Sequence, residues 1–274
     1  MDTRFWGPSG WKLLHHIAFT YEYTAENAVL YSHFLETLPY ILPCKFCRSS
    51  LTDYYQLHPF SMKNTFMDPL LDLPKWMHTI HNCVNDKLRV QGLCPSPNPS
   101  FQQVKRHYQT VLRTSWKQQL SLFWDFLFSV GYHHPREKQL YSTPMPECPP
   151  TVKKSNNPCE RNKWNVLPLK ERTQWFYRFW SILPAVLPPP IASHWKEAEL
   201  KYPPTLGTRQ KTMNWLWRMR CELDTDYHDP YRSVCKQIAT YSSDCGTQKG
   251  VFTCRHTKQK KRGKHGTTRK IQRN

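Results

Sequence analysis

Two cysteines three positions apart, in Pro43-Cys44-Lys45-Phe46-Cys47, are the residues of this sequence best spaced for chemistry. A C-x-x-C pair that opens a helix after a proline sits where backbone N–H groups and the helix dipole favour a thiolate. It closes a small disulfide ring that opens readily, so thiol–disulfide exchange is one reading. The same spacing is half of many zinc sites. Cys44, Cys47, Cys83 and Cys94 would make a four-thiolate set for a zinc-binding interaction module, although their spacing is irregular. A thioredoxin-like arrangement is weaker, because that motif follows a strand and none is evident. A second group, His81-Asn82-Cys83-Val84-Asn85, falls in a helical pattern that puts His78, His81, Asn85 and Leu88 on one face. A single histidine on such a face is ordinarily a satisfied surface or core residue; this one is flanked by further stacking and hydrogen-bonding groups.

The cysteine count adds a constraint. Ten cysteines occur in a chain whose start, Met1-Asp2-Thr3-Arg4-Phe5-Trp6, has no apolar run. No secretory or transit signal is read there, so a cytoplasmic protein is expected. Reducing compartments disfavour structural disulfides, which leaves metal binding or redox catalysis as the usual explanation. The most apolar stretches, 120–130 and 175–191, are interrupted by Asp125, Arg178 and prolines and fall short of the roughly 20 residues of a membrane span. No transmembrane helix is expected.

The elements that must position these residues read as short helices. Gly7-Pro8-Ser9 can open the first, with Ser9 as cap and Trp11, Leu14, His15 and Ala18 as its stripe. A second runs from Asn27 to Leu38, and Pro39 and Pro43 break the chain around Tyr40-Ile41-Leu42. The third begins at Cys44–Cys47. The fourth opens at Asp72-Leu73-Pro74 and continues through Trp76, Ile80 and Val84 to about Arg89. After the turn at Pro95–Pro99, a short fifth helix brings Phe101–Tyr108 back against the bundle. The fold class is therefore all-α: a four-helix bundle with a short fifth helix, followed by a basic, Pro/Trp-rich, mainly helical or irregular C-terminal region with a disordered tail.

The second half differs in composition. The formal net charge is +19, yet residues 1–98 hold 8 Lys/Arg against 8 Asp/Glu, so the excess lies entirely beyond them. Another helix is read over 117–130, and 13 prolines between 135 and 204 argue for extended or irregular chain. From 246 to 274 there are ten Lys/Arg and no acid, the composition of a disordered basic tail. Such charge attracts polyanions. Trp164, Trp175, Trp180, Trp195, Trp215 and Trp217 could stack nucleic-acid bases, or they could build a small core. Three parts follow: 1–110, an additional basic domain at 111–245, and the tail at 246–274.

Taken in order, Trp6-Gly7-Pro8-Ser9-Gly10-Trp11-Lys12-Leu13-Leu14-His15, Pro43-Cys44-Lys45-Phe46-Cys47, and Trp76 with His81-Asn82-Cys83-Val84-Asn85-Asp86-Lys87-Leu88 resemble the Erv/ALR family of FAD-linked sulfhydryl oxidases. The Trp-Gly-Pro opening is most similar to versions encoded by large cytoplasmic DNA viruses, for which the compartment would be host cytoplasm or virion. The resemblance covers residues 5 to about 108. It implies a helical bundle clasping FAD, with Cys47 facing the flavin and Cys44 exchanging with an incoming thiol. It implies that Trp11, His15, His81, Asn82, Asn85, Lys87 and Leu88 line the cofactor, with Lys87 toward its phosphates and Tyr108 in the closing basic-aromatic pair. Substrates would be protein thiols, the final acceptor O2, and the assembly a homodimer through the first two helices. Family members have a cysteine at the place of His78, paired with one near Cys94. Here a Cys83–Cys94 bridge would do that stapling, although five residues along a helix turn the side chain to another face. Members also use a second cysteine pair on a flexible segment as an electron shuttle. Cys245 and Cys254 are the candidates, and Cys148, Cys159, Cys221 and Cys235 are assigned to no pair.

Overall fold

A computed structural model describes residues 1–60, 72–93, 96–136, 144–242, 246–248 and 251–253. The first helix, α1 (Thr3–Phe19), starts earlier than its sequence signal, because the Asp2 side chain accepts from the Arg4 N–H and caps it. Pro8 then falls inside the first turns, where its missing N–H spares only the Arg4 carbonyl a partner. Ser9, expected as the cap, is buried instead. Its hydroxyl donates to the Leu122 carbonyl at 2.7 Å and accepts from the Phe126 N–H at 3.1 Å. Thr24 caps α2 (Ala25–Ile41), which runs through Pro39 rather than breaking there. Cys44 itself caps α3 (Lys45–Leu57), and Asp72, with Pro74 in the first turn, opens α4 (Leu73–Val90). A reciprocal Ser100–Gln103 capping box starts α5 (Phe101–Val111).

Seven more helices follow among the described residues, joined by a 3-10 turn at Pro150–Lys154. They are α6 (Trp116–Ser121), α7 (Trp124–Tyr132), α8 (Pro158–Lys163), α9 (Leu169–Val186), α10 (Pro189–Lys201), α11 (Arg209–Leu223) and α12 (Tyr231–Tyr241). Among the described residues the proline-dense stretch is thus largely helical, as the fold class allowed, where proline density alone argued for extended or irregular chain. The prolines stand where helices tolerate them: Pro168 and Pro188 are N-caps, Pro158 and Pro189 lie in first turns, and Pro184 lies in the last turn of α9. In the stretch read as a disordered tail, β1 (Gly246–Gln248) pairs antiparallel with β2 (Val251–Thr253). Val251, Phe252 and Thr253 are residue types suited to a strand.

One hydrophobic core runs through both halves of the chain. It joins Leu13, Ile17, Phe34 and Leu38 of α1 and α2 to Phe126, Phe179, Leu183, Trp195 and Leu216 of the later helices. The boundary read at 110 crosses this core. Among the principal packings, α9 lies along α2, α7 sits between α1 and α11, and α8 packs on α3. Gly10 allows the α1–α7 approach, since a Cβ there would stand 3.0 Å from the Phe126 ring. Trp180, Trp195 and Trp215 are fully buried, with Trp215 edge-on to the other two at 5.4 and 6.2 Å. These three are interior residues and cannot stack on bases. Among the described residues no helix is long and apolar enough to cross a membrane.

Candidate active site

The site begins at the turn between α2 and α3. Pro43 ends the extended turn, and Cys44 takes the N-cap position, so its Sγ accepts from the Cys47 N–H at 3.4 Å. Cys44 is 1% exposed, whereas Cys47, one turn along, is half-buried and turned toward α4. Burial alone would push the Cys44 thiol up. It is outweighed by the hydrogen bond from Cys47, by the Met1 ammonium and by the adjacent Arg48 guanidinium, which together bring it down to about 6. The Cys47 thiol moves the other way, raised by its hydrogen bond to Cys44 and by burial, against the opposing pull of Lys87. The pair therefore holds one thiolate, on Cys44, beside one thiol. Arg48 is held by the Leu42 carbonyl at 2.9 Å and by a short bond to Asn165 Oδ1.

Facing the thiols is α4. Its Lys87 Nζ donates to Ser50 Oγ of α3 at 2.5 Å, which places an ammonium close to Cys47. Six residues back, His81 lies face to face with Trp11 of α1, ring centroids 3.9 Å apart and planes 10° apart. His15 Nε2 meets His81 Nδ1 at 3.0 Å, and the His15 ring stacks on Tyr108 of α5 at 5.0 Å. Burial is the main reason that His15 is pushed down to about 3 and His81 to about 4, so both rings are neutral near pH 7. Among the described residues the buried His15 Nδ1 has no hydrogen-bond partner. Asn82 approaches His78 within 3.3 Å, and Asn85 and Leu88 are half-buried on the same helix.

Of the residues singled out from sequence, Trp11, His15, His81 and Tyr108 thus form one continuous aromatic stack, and Cys44, Cys47 and Lys87 form a second group. Helix α4 links the two groups over a rise of roughly 9 Å. Asn82, Asn85 and Leu88 lie on the linking helix, and among the described residues they make no hydrogen bond to either group. Sequence reasoning missed Phe19, which stacks on Tyr108 at 5.1 Å, and Arg48. The signal for Arg48 was present in its position directly after the C-x-x-C; for Phe19 it was the i+4 spacing from His15. Cys83 stands as a half-buried free thiol; the expected partner Cys94 lies outside the described residues, as do Cys245 and Cys254. Among the described residues no three His, Cys, Asp or Glu side chains are grouped to hold a metal ion.

Comparison with known proteins agrees with this arrangement. Residues 8–109 match the Erv1 / Alr family. A probable FAD-linked sulfhydryl oxidase of Acanthamoeba polyphaga mimivirus is 32% identical over 87 residues, which cover 31% of this chain and 59% of that relative. The chain therefore spans somewhat over half the length of the curated relative it matches. No solved structure matches. The matched segment runs from within α1 to within α5 and holds both cysteines, the aromatic stack and Lys87. The similarity to the Erv1 / Alr family thus covers residues 8–109 of this chain.

Proposed function

We propose that the chain is an FAD-dependent thiol oxidase that forms disulfides in protein substrates and delivers the electrons to O2. The carrying observation is the convergence of a C-x-x-C pair that holds a single thiolate with a lysine from α4, the helix whose other end bears the Trp11–His81 stack. Those residues fit a dinucleotide-sized flavin. The flat faces of Trp11, His81, His15 and Tyr108 suit aromatic rings, the orphaned His15 Nδ1 offers a hydrogen bond, and Lys87 suits a phosphate. Bound FAD would supply a two-electron acceptor beside Cys47 and pass the pair to O2, giving hydrogen peroxide.

The chain's own part is thiol exchange. A substrate thiolate attacks Cys44 Sγ of the oxidised pair, and the Cys44–Cys47 bond breaks with its electrons on Cys47. The second substrate thiol then attacks the mixed disulfide and leaves as the substrate disulfide, with Cys44 reduced. Arg48 and the cap N–H hold Cys44 as thiolate, which makes it a good leaving group in that second step. Lys87 favours negative charge on Cys47. Because Cys44 is buried beneath the chain start, the exchange requires residues 1–2 to give way, or the substrate to enter on that side. The compartment proposed is the cytoplasm, or host cytoplasm and virion if the source is viral.

Absorbance spectra and thiol-dependent oxygen consumption test the reading on the wild type and Cys47→Ser. The wild type should be yellow and consume O2 with a dithiol, and Cys47→Ser should stay yellow with at least a hundredfold lower turnover. A colourless wild type, or a variant that turns over normally, refutes it.

A further inference from the structure

Among the described residues one that is not glycine, Asn165, has a left-handed backbone, with φ +58°. It stands just past the end of α8. Its N–H donates to the Asn162 carbonyl at 3.0 Å, and the Val166 N–H donates to the Arg161 carbonyl at 2.9 Å, the paired bonds of a Schellman helix end. That position ordinarily takes glycine, because a Cβ is disfavoured at positive φ. The backbone of residue 165 therefore asks for no side chain. The side chain present there is nonetheless employed, since its Oδ1 accepts from Arg48 Nη2 of α3. An unfavourable backbone kept together with a specific long-range bond points to a role for that bond.

Arg48 directly follows the C-x-x-C pair and is 6% exposed. Its main-chain N–H donates to the Cys44 carbonyl at 3.0 Å, and its Nη1 donates to the Leu42 carbonyl, two residues before Cys44, at 2.9 Å. The bond to Asn165 fixes the second prong of the fork, so the guanidinium is held against the turn that carries Cys44. A long side chain anchored at one prong alone keeps rotamer freedom. A neutral acceptor is also the suitable one, because a carboxylate at 165 would set a negative charge against the thiolate. The rest of this segment grips the same turn from both sides: Asn162 Nδ2 donates to the Pro39 carbonyl of α2 at 2.8 Å, and Lys163 pairs with Asp53 of α3 at 2.7 Å. We propose that Asn165 is a positioning residue for the thiol pair, holding the Arg48 guanidinium where it stabilises the Cys44 thiolate. The second half of the chain then sets the reactivity of a cysteine in the first. The assignment rests on the thiol-exchange reading, in which Cys44 leaves as a thiolate when the substrate disulfide forms.

Asn165→Gly tests this, since glycine suits the backbone at 165 and only the amide is lost. The reduced full chain is titrated by ultraviolet thiolate absorbance, and the Cys44 step is identified by its loss in Cys44→Ser. In Asn165→Gly that step should move to higher pH by about one pH unit, the scale of one charge-assisted hydrogen bond lost, with helicity unchanged. Arg48→Met should move it at least as far, and adding Asn165→Gly to Arg48→Met should move it no further. A step that stays in place in Asn165→Gly overturns the proposal, and so does a further rise in the double variant. Should Arg48→Met not fold, the Asn165→Gly titration decides alone. Flavin absorbance and oxygen consumption separate this role from the oxidase reading. A yellow, active wild type whose step is unmoved by Asn165→Gly refutes the positioning role alone; a colourless, inactive wild type whose step does move refutes the oxidase alone.

Discussion

Titration of the reduced protein should reveal the Cys44 thiolate as a pH-dependent part of its stability, and Cys44→Ser should remove that part. In the folded chain Cys44 sits at about 6, while an unfolded cysteine titrates near about 8.5. Between those values the unfolded state holds a proton that the folded state has given up. Stability therefore rises with pH through this window, by about 1.4 kcal/mol for each pH unit, and is lost as pH falls through the folded value. Across the window the gain is about 3 kcal/mol. Cys47, whose thiol is raised, stays protonated in the folded chain, and its opposing slope begins only at the top of the window, as the unfolded thiol titrates. His15, His81 and His134 are neutral in the folded chain at these pH values and protonate only on unfolding, mainly below about 6.5. Their contribution is common to wild type and variant and cancels in the difference. The assay is urea unfolding under a phosphine reductant at several pH values from about 6 to about 8.5. Parallel pH dependences for wild type and Cys44→Ser would show that the cap hydrogen bond and Arg48 do not hold a thiolate.

Three further outcomes are expected. Ser9→Ala removes the hydroxyl that ties α1 to the α6–α7 corner and strands the Leu122 carbonyl and Phe126 N–H in the interior, lowering stability by about 1–3 kcal/mol by denaturant unfolding. Gly131→Ala places a methyl 2.7 Å from the Leu216 side chain, and the resulting overpacking should cost about 1–3 kcal/mol, visible as a lower melting temperature. Replacing Cys245 and Cys254 together by serine should slow oxidation of a protein dithiol several-fold and leave a small dithiol unaffected in oxygen-consumption assays. Equal slowing of both would dismiss the shuttle.

The residues that could be placed from sequence were those whose signal is local. Cys44 caps α3 because a proline and a helix start surround it, and α4 follows from Asp72, Pro74 and a regular apolar stripe. Ser9 was misread because two capping candidates compete near the start of α1, and Asp2 wins. The later helices were hidden by proline density, since counting prolines ignores whether they fall at caps or inside turns. Asn165 carried no signal at all. Its bond to Arg48 joins segments more than a hundred residues apart, which no spacing rule encodes.

The covering of α2 by α9, and of α1 by α7, bears on how the chain unfolds. A segment that ended near residue 110 would present Phe34, Leu38, Leu13 and Ile17 to water, a contiguous apolar surface of the kind that drives aggregation. The later helices therefore act as an intramolecular partner, and loss of either half removes the other's interior. Denaturation should follow a single cooperative transition, with tryptophan fluorescence from Trp180 and Trp215 moving in step with loss of helicity around the thiols.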